Sequence, residues 1–355
     1  MFDPIQLIKD YAKLEHHRTG THEDAITCAW LAKQFKALGL ATSPIDFPFT
    51  QYIAEWQCTV DARQVEAIPL FYSSQGRSVF DDIEVQPLEL NDWQESETLM
   101  QIATLAEKQK RAGFSALVLA TQSDNGSVYA LNVSTESEID FPVILTSAAL
   151  VGFRASGFLQ AQWRGSESRC LVAQNHPQPE LILTTPFSGW FNCAAERAAG
   201  IAVLIELIQR LQSKFRIQVI ATSGHELHHL GTEAVQRSVA IDAATPVLHI
   251  GSCVGVANSD LVLSSDLPLE KHLAAIEVWP ELGARHQQLN PTNPNTWPGE
   301  SRNWACAERS VISLVGVDRN FHTPRDTAQR INISPLSDIV ILLQKLVEET
   351  LLTKT

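Results

Sequence analysis

The residues best suited to chemistry begin with the run Gly224-His225-Glu226-Leu227-His228-His229. Within it, His225-Glu226-x-x-His229 has the spacing at which two imidazoles on one helix face bind zinc while the glutamate acts as base. Such a site needs a long, regular helix, whereas this run follows a predicted strand at residues 215–222 after a short turn. Two interpretations stay open, a metal site or polar residues at the start of a helix.

A second run, residues 320–327, contains His322, Arg325 and Asp326 and follows a predicted strand at residues 311–316. An imidazole in a loop after a strand is a candidate metal ligand. A single histidine is more often structural or solvated, so this run alone does not identify a site.

Alternating strands and helices position both runs. After the spacer Asn175-His176-Pro177-Gln178-Pro179, the pattern predicts strands at 181–185, 215–222, 246–251, 260–264 and 311–316, and helices at 194–211, 230–240 and 335–352. This alternation favours an α/β fold with a mixed, mostly parallel sheet covered by helices on both faces. In such sheets the chemistry lies just beyond the carboxyl ends of the strands. We therefore expect site residues at 185–196, 223–229, 251–253 and 317–326.

The part of the chain before the spacer predicts two different structures. Residues 3–14 and 25–38 have helical periodicity, and a strand follows near residues 45–49. Between residues 52 and 169, short β-like runs dominate (66–72, 115–121 and 141–146), with one helix at 99–112. We interpret residues 52–169 as an inserted β-rich lobe, and residues 1–50 with 175–355 as one α/β domain.

Composition excludes several classes of partner. Lys and Arg number 27 against 40 Asp and Glu, so the net charge is −13 and phosphate backbones are repelled. No apolar stretch is long enough to span a membrane, and the start of the chain lacks the pattern of a signal peptide. The six scattered cysteines are typical of reduced thiols. The expectation is a cytoplasmic protein that binds neither nucleic acid nor membrane.

Several segments, in order along the chain, resemble the M28 zinc aminopeptidases. They are Arg18-Thr19-Gly20 with the helix after it, Ala195-Glu196-Arg197-Ala198-Ala199-Gly200, Glu226 with Leu230-Gly231-Thr232, and Phe321-His322-Thr323-Pro324-x-Asp326-Thr327. Residues 52–169 resemble the protease-associated domain that is often inserted in these enzymes. The resemblance covers nearly the whole chain and implies the zinc aminopeptidase fold.

The same resemblance implies that the metal site is degenerate. In the family, two zinc ions share a bridging carboxylate, and each ion has two further ligands. The two ligands that bind only the first ion fall on Pro186 and on or near Gly251, and neither residue can bind zinc through a side chain. The ligands of the second ion fall on Glu196, Glu226 and His322, a set that suffices for one catalytic zinc.

The catalytic base of the family falls on His225, and the aspartate that orients its first histidine falls on Ser188. His225 serves as a substitute base only if it stays neutral and points at a bound water. Two buried carboxylates also repel each other unless a cation lies between them. Zinc supplies that cation in one hypothesis, and Arg197 or Arg325 supplies it in a metal-free protein.

Three function classes follow. The favoured one is a noncatalytic M28-type protein that binds a peptide or small-molecule ligand, or a protein of altered activity. The second is a one-zinc hydrolase, aminopeptidase-like or cyclase-like, that uses Glu196, Glu226 and His322. The third is a zincin-type peptidase that uses His225-Glu226-x-x-His229. At most one zinc ion is expected.

Overall fold

The computed structural model describes residues 2–89, 95–135, 137–268 and 285–351. Leu352, the last residue of the predicted closing helix, lies outside them. The helices are α1 (Pro4–Tyr11), α2 (His22–Ala37), α3 (Glu95–Arg111), α4 (Ala199–Leu211), α5 (Leu230–Ser238), α6 (Ser301–Trp304) and α7 (Leu336–Leu346). The strands are β1 (Ala41–Val60), β2 (Arg63–Gln64), β3 (Ala67–Pro69), β4 (Gly76–Leu88), β5 (Leu117–Thr121), β6 (Val143–Ser147), β7 (Arg154–Gln174), β8 (Leu181–Pro186), β9 (Ile217–Thr222), β10 (Val247–Ile250), β11 (Asp260–Ser265), β12 (Arg285–Gln288) and β13 (Val311–Val317).

The centre of the sheet is parallel. In the order β12-β11-β13-β10-β8-β9-β7, strand β8 pairs in parallel with both β9 and β10, and β10 pairs in parallel with β13. The flanking pairs of β11 with β13 and β7 with β9 are antiparallel. The predicted mixed, mostly parallel sheet, with the first strand after the spacer parallel to the second, is confirmed.

Both faces of this sheet are covered, because neighbouring residues of β8 enter different cores. Leu181 and Leu183 pack in a cluster that includes residues of α1, α2, α4 and α7. Ile182 packs on the opposite face in a cluster with residues of α5 and α6 and with Trp297. Ten of the 13 residues of helix α4 are buried, and only Glu206, Gln209 and Arg210 reach the surface, which explains why its sequence is so strongly apolar.

Two long strands were only partly predicted. The strand expected near residues 45–49 is part of the longer strand β1. Strand β7 was not predicted, and it pairs antiparallel with β1 from Ala41–Gln174 to Val60–Ala155. Pro44 and Pro48 break the strand pattern in the sequence. Proline is tolerated here because no strand in the described part of the chain pairs with the second edge of β1 over this stretch.

The strands β1 and β7 also cross the boundaries predicted for the inserted lobe. A separate hydrophobic cluster is formed mainly by residues between Tyr52 and Ala161. Among the residues that the structure describes, Trp190 and Leu227 are the buried members that join it from outside that range. The division into two domains stays a prediction, and the structure adds the two strands that join the lobe to the main sheet. No helix in the described ranges is long and apolar enough to cross a membrane.

Candidate functional site

The start of α4 is fixed by a carboxylate from the other side of the site. Residues Ala194–Ala198 form one wide, π-type turn that leads into α4. The backbone N–H groups of Ala195 and Glu196 donate to the two carboxylate oxygens of Asp326, at 2.7 and 2.9 Å. A carboxylate that satisfies free N–H groups at a helix start stabilises that start. Asp326 therefore holds Glu196 in place and ties the loop after β13 to the loop after β8.

Glu196 lies in a buried cluster with Arg197 and His322. A guanidinium nitrogen of Arg197 (Nη2) is 2.8 Å from Glu196 Oε1, and His322 Nε2 is 3.4 Å from the same oxygen. All three residues are almost fully buried, at 1%, 1% and 2% exposure. Each of these three atoms lacks a well-aligned hydrogen bond. The contacts of Glu196 with Arg197 and His322 are therefore electrostatic and are not well-aligned hydrogen bonds.

The electrostatics of this cluster keep Glu196 ionised. Burial raises the pKa of the Glu196 carboxyl, but the charges of Arg197 and His322 outweigh it, so the pKa lies below its usual range. Burial lowers the pKa of Arg197, but the carboxylate of Glu196 more than compensates. Arg197 is fixed further by a 2.7 Å hydrogen bond from Nε to the backbone oxygen of Ser188. The guanidinium is thus a permanent cation at Glu196.

Glu226, the third predicted ligand, is engaged elsewhere. Its Oε1 accepts from the backbone N–H of Thr19 at 2.6 Å, and its Oε2 accepts from the hydroxyl of Ser188 at 2.7 Å. It lines a cavity of about 20 Å³ beside Arg18, and neither Glu196 nor His322 lines that cavity. Ser188 therefore connects the two carboxylates, because its backbone oxygen binds Arg197 and its hydroxyl binds Glu226.

The run that contains His225 does not form the helix that a zincin needs. Only His225–Leu227 make a short 3₁₀ turn, and both His228 and His229 have left-handed backbones, with φ of 55° and 67°. The rings of His225 and His229 are 5.1 Å apart between centroids, but no helix face presents them together. His229 Nδ1 lies 2.9 Å from Asn303 Oδ1. The spacing in the sequence is real, but the geometry of the zincin signature is absent.

His225 is held neutral next to a buried carboxylate. Burial, followed by the positive charge of Arg197, lowers the pKa of His225 well below its usual value. Its Nδ1 lies 3.2 Å from Oε1 of Glu300, which is fully buried and accepts from the Thr222 hydroxyl at 2.6 Å. Neutrality meets one requirement for a base. The Glu300 contact shows that one ring nitrogen is already used for a structural hydrogen bond.

Glu300 is a residue of the candidate site that the sequence analysis did not reveal. It precedes the short helix α6, in a segment with no periodic pattern and no metal-binding spacing. Its burial and its two partners are visible only in three dimensions. Arg325, the alternative cation, does not reach Glu196, because its guanidinium donates to the backbone oxygen of Asn125.

Left-handed backbones are frequent in the loops that follow the parallel strands. Besides His228 and His229, they occur at Cys193, Cys253 and His322, with φ between 50° and 54°. Residues with side chains rarely adopt this conformation, and such strain concentrates at functional sites. The loops that carry the candidate residues thus contain strained backbone conformations.

Pro186 and Gly251, the two positions where the family resemblance leads us to expect ligands of a first zinc ion, have no side-chain donor atom. Pro186 is buried within the end of β8. A Cβ atom added at Gly251 would lie 2.4 Å from Val315 Cγ1, so even alanine does not fit there without movement. Across the ranges that the structure describes, no three side chains of the metal-binding types converge on one point.

Comparison with known proteins identifies the fold. No protein-family model matches the sequence, and no curated protein sequence matches it. Among solved structures, a peptidase M28 precursor from Shewanella amazonensis aligns with a TM-score of 0.73 at 14% identity, over 99% of this chain and 93% of that one. The zinc aminopeptidase BSAP from Bacillus subtilis gives 0.70 at 14% identity, over 98% and 94%.

An aminopeptidase from Aneurinibacillus sp. strain AM-1 aligns with a TM-score of 0.66 at 14% identity, over 97% of this chain and 92% of that one. Each alignment spans nearly the full length of both proteins. This chain has the fold of the M28 zinc aminopeptidases.

Proposed function

We propose that this protein is a noncatalytic relative of the M28 aminopeptidases, in which the guanidinium of Arg197 replaces a metal ion as the partner of Glu196. The observation that carries the proposal is the buried contact of 2.8 Å between Arg197 Nη2 and Glu196 Oε1. A fixed organic cation at this distance neutralises the carboxylate and occupies space next to the oxygen that a metal ion would use.

The donor set that remains does not suit the two-zinc centre of the family. Glu196 and His322 are adjacent, but the oxygens of Glu226 already accept from Thr19 and Ser188. Pro186 and Gly251 contribute no ligand. A bridging carboxylate loses its role when only one of the two ions has ligands, so we infer that the dinuclear mechanism is lost.

A one-zinc hydrolase is the second candidate, and one observation favours it. Glu196 Oε1 and His322 Nε2 are buried, lie 3.4 Å apart and have no aligned hydrogen bond. If Arg197 turned away, these two atoms and a reoriented Glu226 would give the three ligands of a catalytic zinc. Because Arg197 is held by Ser188 as well as by Glu196, we favour the metal-free alternative.

A ligand-binding role is consistent with the rest of the chain. The structures that share the fold are named as peptidases and aminopeptidases, and we propose that this protein retains a site for a peptide or a small molecule. We also propose that residues 52–169 form a protease-associated-like lobe. Its hydrophobic cluster reaches Leu227, next to Glu226, so the lobe is placed to influence the site.

Hydrolysis of aminoacyl-nitroanilides tests this function. We expect the turnover of the purified protein, with or without added zinc, to equal that of a His322→Ala control. The His322→Ala variant is a matched control because it lacks the imidazole that any inherited zinc mechanism needs. Turnover that depends on His322 and is abolished by a chelator would establish a metallopeptidase and refute the proposal.

A further inference from the structure

The candidate site is closed to solvent, although it lies where an open α/β sheet normally exposes a crevice. Glu196, Glu226 and His322 are each no more than 2% exposed. Loops at the carboxyl ends of parallel strands usually present their side chains to ligands. Some other part of the chain must therefore cover these residues.

Residues 125–133, which we call the strap, contact His322 and Glu226 and supply part of this cover. The strap has no helix or strand, and Val128, Ala130 and Val133 within it are at most 1% exposed. The backbone N–H of Ala130 donates to the His322 carbonyl at 2.9 Å, and His322 Nδ1 donates to the Ala130 carbonyl at 3.0 Å. The strap thus binds both the backbone and the side chain of His322.

The strap also contacts the other segments of the site. The backbone N–H of Val133 donates to the Glu226 carbonyl at 3.1 Å, and Asn132 Oδ1 accepts from the Trp190 indole at 3.0 Å. At its start, Asn125 Nδ2 donates to Asn320 and Thr323, at 3.1 and 2.9 Å. A small set of hydrogen bonds between loops therefore joins the strap to the turns that carry His322 and Glu226.

The strap is anchored separately to the lobe. Glu66 Oε1 accepts from the backbone N–H of Val128 at 2.6 Å and from the Ser127 hydroxyl. Val128, Ala130, Leu131 and Val133 also belong to the hydrophobic cluster of the lobe, so the strap moves as part of the lobe. Its links to the site turns are the hydrogen bonds above and the ring of Tyr129, which packs beside Phe321 and His322. Movement with the lobe would uncover the site without unfolding the sheet.

We propose that the strap is a built-in closing device, which shuts the Glu196–Arg197–His322 cluster and must be released before a ligand reaches it. This deepens the proposed function by adding its regulation. An incoming polypeptide would satisfy the same His322 and Glu226 backbone groups that Ala130 and Val133 now occupy. The state seen here is the closed one.

The test measures the accessibility of His322. The double variant Asn125→Ala, Asn132→Ala removes the strap's side-chain bonds to the site turns and leaves every site residue intact. Carbethoxylation of histidines by diethyl pyrocarbonate is followed residue by residue by mass spectrometry. We expect the rate at His322 to rise about tenfold in the double variant, because each lost hydrogen bond shifts the closed–open equilibrium several-fold.

Two controls make the result decisive. Asn175→Ala removes three side-chain hydrogen bonds, two to the carbonyls of Gln212 and Phe215 and one from the backbone N–H of Ile217. These bonds are far from the strap in the sequence, so this variant should leave the His322 rate unchanged. His17 and His249, at 0% and 1% exposure, report general unfolding. An unchanged rate at His322, or equal rises at all three histidines, would overturn the strap proposal. Neither outcome depends on metal or activity, so the proposed function is tested separately.

Discussion

Replacing Arg197 with methionine should destabilise the protein by about 3–5 kcal/mol at neutral pH, which is the cost of leaving one partner of a buried ion pair unpaired. Methionine keeps most of the volume of the arginine stem but has no charge. Glu196 would then be buried beside His322 Nε2 at 3.4 Å and the Cys193 thiol at 3.4 Å, without the guanidinium that neutralises it. Urea denaturation at pH 7 measures the change in the free energy of unfolding.

The pH dependence of the stability loss distinguishes an unpaired charge from a packing defect, because a packing defect does not titrate. In the wild type the folded pKa of Glu196 is lowered, so its stabilising contribution is present above the unfolded pKa of about 4.3 and is lost as pH falls. In Arg197→Met the folded pKa should be raised instead. The variant should therefore recover stability relative to wild type as pH falls from 7 towards 4.3.

The double variant Glu196→Gln, Arg197→Met is the matched control. If the two residues form a unit, the double variant should be more stable at pH 7 than Arg197→Met alone, because no ion is left buried without a partner. A double variant that is less stable by the full sum of the single effects would show that the two side chains act independently.

The second large effect is expected at Gly231, at the start of α5. A Cβ atom there would lie 1.9 Å from the Ser223 carbonyl oxygen and 2.6 Å from the Cys170 sulfur. Neither neighbour is a flexible side-chain end, so Gly231→Ala must push α5 away from the turn that carries His225 and Glu226. We expect a loss of about 3 kcal/mol in the free energy of unfolding, typical of severe overpacking.

Gly165→Ala is the control for this substitution. Gly165 lies exposed in β7, and a Cβ there would meet nothing within 4 Å. Gly165→Ala should change the free energy of unfolding by no more than roughly 0.5 kcal/mol, as surface substitutions generally do. Thermal or urea unfolding measures the loss of stability in Gly231→Ala and in Gly165→Ala. Similar losses in both would mean that close packing at Gly231 does not fix the position of the turn.

The fold was predictable because its central strands are buried on both faces. Strands such as β8 and β9 then appear in the sequence as short apolar runs between helices with strong periodicity. β7 gave no such signal, because its burial changes along its length and much of it is exposed. Its position depends on pairing with β1, whose partner residues lie between Ala41 and Val60, far earlier in the chain.

The site was predictable only in part. The sequence placed Glu196 and His322 just after predicted strands, and the structure brings them to 3.4 Å. It left Arg197 and Arg325 equal as candidate cations, because the direction of a side chain depends on the backbone of its turn. The wide turn Ala194–Ala198, capped by Asp326, is what aims Arg197 at Glu196. Glu300 and the strap come from irregular segments, for which no pattern exists.

The most direct test of the central claim is the zinc content of the protein after incubation with zinc and gel filtration, measured by elemental analysis without affinity-tag histidines. The claim is that the guanidinium of Arg197, and not a metal ion, is the cation at Glu196. We predict no more zinc in the wild type than in the double variant Glu196→Gln, His322→Ala. One zinc ion per chain, lost in that double variant, would contradict the claim and establish the one-zinc alternative.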